Sequence, residues 1–311
     1  MGVTTQDIFG GGSRGEPALP GSYGAAPSGH RLPDATRLGR VVLQVSSLER
    51  SLRFYEFVLG FTTIARREGT ALLGAHQSDR VLVELRERPN ALPVGRGRLG
   101  LYHFAILLPD RGALGRFVRH LSEIGARAGA GDHLVSEAIY LNDPDGLGIE
   151  VYADRPRETW RRVGRELMMA TDPVDFDDLV RAAGPLQWVG MPSGTVIGHV
   201  HLHVGDIEQA AAFYSEAVGL DRIVWSYPGA LFLAAGGYHH HLGTNTWAGP
   251  HAQPAPETEA RLVEWTIELP TAADVDAAAV HIAKVGHGVT REEDDAVTAD
   301  PWGTRVRLTA R

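Results

Sequence analysis

The pattern of apolar and polar positions repeats along the chain. Segments 39–61 and 198–220 each show strand-like alternation followed by apolar residues three and four apart, the spacing of one helix face. The helix-face positions in the two copies are Leu48, Leu52, Tyr55 and Leu59, and Ile207, Ala211, Tyr214 and Val218. A glycine follows each stretch, where it can end a helix. Each copy is therefore predicted to be a strand followed by a helix.

Two further pairs of segments extend the repeat. Residues 101–110 match 262–271, each followed by a helical pattern, and residues 143–151 match 300–308. Such a repeat constrains the architecture, because similar copies are expected to adopt the same local structure. We therefore divide the chain into four units of roughly fifty residues, each predicted to run strand, helix and then three strands.

The stretch 131–150 concentrates polar residues that are unusual for a hairpin. Residues 143–146 read Asp-Pro-Asp-Gly, with proline second and glycine fourth, which favours a type I turn between two strands. Glu150 lies on the outgoing strand, whose other residues are mainly apolar. Burying a carboxylate there is costly unless a cation or a hydrogen-bond donor meets it. A metal ion is the candidate partner.

The same residues resemble the signature of the extradiol ring-cleaving dioxygenases, a branch of the vicinal oxygen chelate superfamily. The matching positions are Gly131, His133, Ile139, Tyr140, Asp143, Pro144, Gly146 and Glu150. This resemblance implies that Glu150 is an iron ligand and that His133 and Tyr140 contact the substrate. Further blocks similar to this family stand at 101–110, 198–204 and 236–247.

The resemblance also implies an α+β fold of four βαβββ units, the vicinal oxygen chelate or glyoxalase–dioxygenase fold, in two paired-unit barrels. In this superfamily two paired units enclose a cavity, and metal ligands come from the first and last strand of each unit. The first-strand positions are Arg40, His103, His199 and Glu264. The last-strand positions are Glu84, Glu150, one of His239, His240 and His241, and Arg307.

The choice of paired units decides the ligand set. Sequential pairing gives no cavity with two histidines and one carboxylate free of an arginine. Pairing unit two with unit three gathers His103, His199 and Glu150, the two-histidine, one-carboxylate set typical of non-haem Fe(II) oxygenases, with a further histidine to spare. Units one and four then keep two arginines and two glutamates, which are expected to form a structural ion-pair cluster. We predict this second pairing.

The neighbouring histidines have less defined roles. His201 and His203 share the strand face of His199, but one face cannot bring all three to one metal, so we expect these two beside the site. Strand alternation puts His240 on the face opposite to His239 and His241. The sequence does not show which face is inward, and we favour His240 slightly over His241 as an acid–base group.

The function implied is Fe(II)-dependent cleavage of a catechol-type substrate with O2 to a muconic semialdehyde; Mn(II) is compatible with the same ligands. His103, His199 and Glu150 would bind the metal, while His240 or His241, with Tyr140 and His133, would act on the substrate. One alternative is a glyoxalase-like isomerase or lyase on Zn(II) or Ni(II), although such sites usually take a carboxylate from each unit. The other is a metal-free protein that binds a small molecule, which gives no reason for this ligand set.

Composition limits the partners. The chain contains no cysteine, so any metal must bind His, Asp or Glu. A net charge of −8 argues against a basic face for nucleic acid. No signal peptide or apolar run of about 18 residues is apparent, so we expect a cytoplasmic protein without a membrane partner. A homo-oligomer is compatible with the sequence.

The domain organisation follows from the repeat. Residues 1–35 are rich in Gly, Pro and Ser and lack an apolar period, which predicts a flexible, loosely packed N-terminal arm. Residues 36–155 hold units one and two, and residues 195–311 hold units three and four. Residues 156–194 are predicted to be a linker with a helical segment.

Overall fold

The computed structural model describes residues 3–10 and 15–311. Within these residues the chain forms two large sheets of mixed parallel and antiparallel strands and one small three-stranded sheet. Among them no helix is long and apolar enough to cross a membrane.

The first half of the chain contains a short N-terminal segment and two βαβββ units. The segment contains α1 (Thr5–Phe9) and β1 (Glu16–Pro17). Unit one comprises β2 (Arg37–Val45), α2 (Leu48–Phe57), β3 (Thr62–Arg67), β4 (Thr70–Gly74) and β5 (Val83–Glu87). Unit two comprises β6 (Arg98–Leu107), α3 (Arg111–Glu123), β7 (Gly129–Asp132), β8 (Ser136–Asn142) and β9 (Gly148–Asp154).

The second half contains the connection and two further units. The connection holds a 3₁₀ turn (Arg157–Thr159), β10 (Arg161–Val163), β11 (Glu166–Leu167) and α4 (Phe176–Ala182). Unit three comprises β12 (Val196–His203), α5 (Ile207–Ala211), β13 (Asp221–Val224), β14 (Ala230–Ala234) and β15 (Leu242–Asn245), with β16 (Gln253–Pro254) after it. Unit four comprises β17 (Arg261–Leu269), α6 (Ala272–Lys284), β18 (Thr290–Glu292), β19 (Asp295–Ala299) and β20 (Arg305–Ala310).

Each unit's helix begins where a polar side chain caps it. Ser47, Asp110, Asp206 and Thr271 stand before α2, α3, α5 and α6, and each accepts a hydrogen bond from a backbone N–H in the first turn. The predicted helix of unit three departs from a regular α-helix, because α5 continues as a π-helix over Ala212–Ala217. Its apolar face is nevertheless buried, with Phe213 and Tyr214 fully covered.

The two sheets confirm the predicted pairing of unit two with unit three. One sheet has the strand order β13-β14-β15-β12-β6-β9-β8-β7, and the other β18-β19-β20-β17-β2-β5-β4-β3. In each sheet the first strands of the two units pair antiparallel at the centre, β6 with β12 and β2 with β17. The sheet of units two and three is called the β6–β12 sheet below, and the other the β2–β17 sheet.

The described part of the N-terminal segment is packed, which corrects the expectation of a loosely packed arm. Strand β1 pairs with β10, and the Arg31 guanidinium donates two hydrogen bonds of 2.7 Å to the Asp221 carboxylate. Leu32 enters the core with only 1% of its surface exposed. The segment lacks an apolar period, but short elements, ion pairs and single apolar contacts are enough to pack it.

The predicted turn at residues 143–146 forms, and it also joins the two sheets. The Gly146 N–H donates to the Asp143 carbonyl at 3.0 Å, which closes the turn. The fully buried Asp145 carboxylate accepts hydrogen bonds from the Ser46 N–H and hydroxyl at 2.8 and 2.7 Å, and it pairs with Arg50. Ser46 and Arg50 lie beside and within α2, so the turn fixes the β6–β12 sheet against unit one.

Asp143 gives this turn a pH dependence. Burial, reinforced by the Asp145 carboxylate, raises the pKa of Asp143 to about 7, although N–H donors and Arg50 oppose the shift. The folded chain therefore binds this proton more tightly than the unfolded chain, so the contribution to stability decreases as pH rises from about 4 to 7. An asparagine would keep the Oδ1 acceptor for the N–H groups of Asp145 and Leu147.

We expect Asp143→Asn to flatten the pH dependence of unfolding. Between pH 4 and pH 8 the free energy of unfolding of the variant should rise, relative to that of wild type, by up to about 4 kcal/mol. Each unit of the pKa shift corresponds to about 1.4 kcal/mol. Urea unfolding of metal-free protein at several pH values measures this difference. Asp294→Asn, at an exposed position, is the matched control. If the free energy of unfolding changed with pH equally in wild type and in Asp143→Asn, this role of Asp143 would be contradicted.

Candidate metal centre

One row of residues crosses the β6–β12 sheet and carries the predicted site. His199 of β12 stands opposite Ala105 of β6, Ala105 pairs with Glu150 of β9, and Glu150 pairs with Tyr140 of β8. Paired residues point to the same face, so these four side chains share it. His103 precedes Ala105 by two positions and joins the same face.

The two histidines and the glutamate meet above Ala105. The Glu150 Oε2 atom lies 3.0 Å from His103 Nε2 and 3.2 Å from His199 Nε2. One ligand atom from each of the three residues falls within 4.8 Å of the others. Donor atoms about 2 Å from a shared metal ion require this mutual closeness. The three residues predicted to bind metal are therefore brought together.

The protonation states suit a metal ligand set. Burial lowers the pKa of His199 to about 4, only partly offset by Glu150, so its imidazole is neutral at neutral pH. Burial acts to raise the pKa of Glu150, but His199 and His103 outweigh it and hold that pKa well below its usual range. Neutral imidazole and ionised carboxylate are the forms that bind metal ions.

An unpartnered nitrogen also fits a metal. His103 Nε2 is buried and has no hydrogen-bond partner among the described residues, although Glu150 Oε2 is 3.0 Å away. A buried nitrogen without a partner is costly, and a metal ion held between the three side chains would satisfy it. The residues present therefore fit a borderline divalent ion such as Fe(II) or Mn(II).

Small residues make room for this arrangement. Ala105 is fully buried at the centre of the row, where a larger side chain would occupy the space between His199 and Glu150. A Cβ atom on Gly148 would lie 1.9 Å from the Tyr102 carbonyl oxygen, so only glycine permits β9 to approach β6 this closely. The second glycine of Asp-Pro-Asp-Gly-Leu-Gly thus has a steric role beside Glu150.

A cavity of about 670 Å³ opens beside this cluster, and His103 and Glu150 line it. Its walls are mainly aromatic and apolar, and no lysine or arginine lines it among the described residues. The aromatic wall consists of Tyr102, Tyr227, Phe232 and Trp247. Cavities of this size that combine apolar walls with a few polar groups are typical of small-molecule sites.

Tyr140 and His133 form a hydrogen-bonded pair in this cavity. His133 Nδ1 lies 2.7 Å from the Ala170 carbonyl oxygen, which can only accept, so Nδ1–H is the donor. In neutral His133, Nε2 then accepts the hydrogen bond from the Tyr140 hydroxyl. Burial, then the Glu150 charge, raises the pKa of Tyr140 well above its usual value, so the hydroxyl stays protonated. For either group to donate to a substrate, one of these hydrogen bonds must be exchanged.

The structure separates the two candidate acid–base histidines. His240 lines the cavity, with its ring centroid 4.0 Å from that of His199. His241 lies in a separate cleft near Arg157 and Tyr238, and its Nδ1 accepts the Ala235 N–H at 3.2 Å. The inward face, which the sequence left undecided, is that of His240.

His201 and His203 stand beside the three-residue cluster, as expected. His201 is directly opposite His103 across the central strand pair, with ring centroids 5.0 Å apart. Asn245 donates to His201 Nε2 at 2.9 Å and accepts from His203 Nδ1 at 2.7 Å. Asn245 therefore orients both rings.

The equivalent positions of the β2–β17 sheet hold ion pairs, as predicted. Arg40 Nε lies 3.2 Å from Glu84 Oε2, and Arg307 Nε lies 2.6 Å from Glu264 Oε1. Both glutamates are buried. Within the described residues only His103, Glu150 and His199 form a group suited to a metal.

Comparison with known proteins places this fold and site in a family. The sequence model of the Glyoxalase/Bleomycin resistance protein/Dioxygenase superfamily matches residues 37–151 and 196–308, and the chain belongs to that superfamily. Within it, the chain is 46% identical over 271 residues to a catechol-2,3-dioxygenase of Bacillus subtilis (strain 168), covering 86% of this chain and 94% of the relative. The predicted resemblance to ring-cleaving dioxygenases is confirmed.

Solved structures show the same fold at low identity. A candidate dioxygenase from Bacillus subtilis subsp. subtilis str. 168 superposes with a TM-score of 0.63 at 13% identity, over 90% of this chain and 86% of the other. A glyoxalase I variant from Zea mays gives a TM-score of 0.53 at 17% identity, over 88% of this chain and 92% of the other. The predicted four-unit α+β fold is confirmed.

We expect His103→Ala to lose metal binding. The variant removes one of three converging donors, so bound Fe(II) or Mn(II) should fall by at least about tenfold, as even the loss of groups around metal ligands costs 10–100-fold. Anaerobic equilibrium dialysis followed by elemental analysis measures the stoichiometry. His203→Ala alters a histidine of the same cavity outside the cluster and should keep the metal. Retention of metal by His103→Ala, or equal loss in both variants, would contradict the assignment.

Proposed function

We propose that this protein is an Fe(II)-dependent extradiol dioxygenase that opens a catechol-type ring with O2 to give a muconic semialdehyde. The observation that carries the proposal is the meeting of His103, His199 and Glu150 beside a cavity that His103, Glu150 and His240 line. The 46% identity to a catechol-2,3-dioxygenase supports the reaction class.

His103, His199 and Glu150 would hold the metal. Three protein ligands leave further coordination positions, and Fe(II) bound there supplies the electron transfer that lets a catechol react with O2. Mn(II) fits the same donors. The protein's own contribution is to keep these donors on adjacent strands with their ionisation states already suited to binding.

His240 would act as the proton acceptor for the substrate hydroxyl. Burial, reinforced by the neighbouring histidines, lowers the pKa of His240 well below its usual value, so the ring is neutral and can accept a proton. The same ring can return the proton later in turnover. His240 and Glu150 line the same cavity, which supports a contact between His240 and a substrate bound there.

The cavity walls favour an uncharged aromatic ring. Tyr227, Phe232 and Trp247 offer aromatic surface for stacking, and Met169 and Ala170 complete an apolar side. A carboxylated catechol would bury its charge without a facing lysine or arginine among the described lining residues. We therefore expect catechol and alkylcatechols to be better substrates than ring-carboxylated ones.

The glyoxalase-like alternative is less well supported by this geometry. At the last-strand ligand position of unit three stands a histidine, His240, whose ring centroid is 4.0 Å from that of His199 and whose Nδ1 is 2.7 Å from His239 Nδ1. That hydrogen bond leaves only Nε2 for the cavity. A carboxylate from unit three is not among the described residues that line the cavity.

The direct test is aerobic incubation of Fe(II)-loaded protein with catechol. We expect a yellow semialdehyde product with one O2 consumed per ring, and slower reaction by at least about tenfold with 3,4-dihydroxybenzoate, because of the unpaired buried charge. Absorbance and an oxygen electrode follow the reaction. Metal-bound protein that turns over none of several uncharged catechols would contradict the proposed function.

His240→Phe separates chemistry from metal binding in the same assay. The variant should keep its iron, whereas turnover should fall by about 10²–10⁴, the usual contribution of a positioned proton-transfer group. His241→Phe serves as the comparison on the opposite face. If His240→Phe loses iron as fully as His103→Ala, His240 is a ligand and the glyoxalase-like alternative gains support.

A further inference from the structure

Three hydrogen-bonded side chains in series lead from the cavity to a partly exposed carboxylate. His240 Nδ1 lies 2.7 Å from His239 Nδ1, and His239 Nε2 lies 2.9 Å from Asp154 Oδ1. His239 is fully buried, while the Asp154 side chain is 29% exposed. Asp154 ends β9, four residues after Glu150 and on the same strand face.

The donor and acceptor atoms of the three groups determine which partner donates in each hydrogen bond. An ionised carboxylate can only accept, so His239 Nε2–H donates to Asp154. With His239 in its neutral form, Nδ1 carries a lone pair and accepts. His240 Nδ1–H must then be the donor of the second bond, which leaves the lone pair of His240 on Nε2.

We propose that Asp154 and His239 are positioning residues that hold His240 in the tautomer with its free lone pair directed to the cavity. This inference rests on the proposed function, because Nε2 is the atom that would take the substrate proton. The opposite tautomer would present an N–H to the cavity and could not accept that proton. The same arrangement, a carboxylate that fixes an imidazole tautomer, supports a histidine base in many enzymes.

Neighbouring aromatic side chains hold Asp154 and His239 in this arrangement. The Tyr238 hydroxyl donates to Asp154 Oδ1 at 3.1 Å and lies 2.7 Å from the Tyr152 hydroxyl. The His239 ring lies between aromatic neighbours, with centroids 4.1 Å from Tyr238 and 5.5 Å from Trp160. These contacts hold the ring in the plane that both hydrogen bonds require.

Asp154→Asn is the most informative variant. When its Nδ2 faces His239, the side-chain amide donates to His239 Nε2, which reverses the direction of both hydrogen bonds and moves the His240 proton to Nε2. Asp154→Leu removes the acceptor whichever way an amide would turn, so the His240 tautomer is then no longer fixed. We expect kcat to fall at least about tenfold, within the range that proton-transfer groups contribute, with KM and iron content unchanged. The readout independent of activity is the tautomer of His240 in metal-free protein, measured by ¹⁵N NMR of histidine-labelled samples and assigned with His240→Phe.

Further variants at two positions separate positioning from a general structural role. His239→Asn keeps an oxygen that can accept from His240 Nδ1 and should retain more activity than His239→Phe, which has no acceptor. Asp294→Asn makes the same carboxylate-to-amide change at an exposed position outside the cavity, and should leave the His240 tautomer and kcat at their wild-type values. Circular dichroism and iron content verify that each variant is folded and loaded.

The outcomes are distinct. A wild-type His240 protonated on Nδ1 that becomes protonated on Nε2 in Asp154→Asn, with a matching loss of kcat, supports the inference. Protonation of wild-type His240 on Nε2, or an unchanged tautomer and kcat in both Asp154→Asn and Asp154→Leu, overturns it. If wild-type protein cleaves no catechol, the proposed function fails, but the tautomer measurement on metal-free protein still decides whether Asp154 and His239 orient His240.

Discussion

The antiparallel pairing of β6 with β12 is the contact on which the candidate site depends. It joins two units that are not neighbours in the repeat order, and its register sets His201 opposite His103 and His199 opposite Ala105. Side chains alternate between faces along a strand, so a slip of one residue would turn His199 away from Glu150. The turn at residues 143–146 supports this register from the outside, because Asp145 ties the end of β8 and the start of β9 to unit one.

Several ionisable groups are buried around the cavity. They give it its chemistry, and their burial is also its main cost in free energy. Three converging donors would be costly in an apolar interior unless a metal ion shared them. The other polar groups have partners that also set their orientation. Tyr140 is held by His133, which the Ala170 carbonyl orients, and His240 is held by His239, which Asp154 orients. Orientation of donors and acceptors before substrate arrives is a large part of what an active site contributes to rate.

Much of this could be predicted from the sequence, because the relevant signals are local or repeat. The alternation around His103 and His199, the Asp-Pro-Asp-Gly turn and the internal repeat, together with the family resemblance, predicted the fold. The ligand count at the positions that the resemblance implies predicted the non-sequential pairing. The inward face of the His239–His241 run could not be predicted, because strand β15 begins only at Leu242 and the run itself is irregular. The docking of residues 15–35 was missed for a similar reason, since Arg31 finds Asp221 through tertiary contact. The roles of Asp154 and Asn245 could not be predicted, because they depend on neighbours that are distant in sequence.

The central claim is that units two and three together bind one metal ion at His103, His199 and Glu150. Crystals grown with Fe(II) without oxygen, and measured at the iron absorption edge, test it directly through anomalous scattering. We expect one peak per chain about 2 Å from the Nε2 atoms of both histidines and from a Glu150 oxygen. A peak coordinated instead by His201 and His203, or a fully loaded protein with no peak between these three residues, would contradict it.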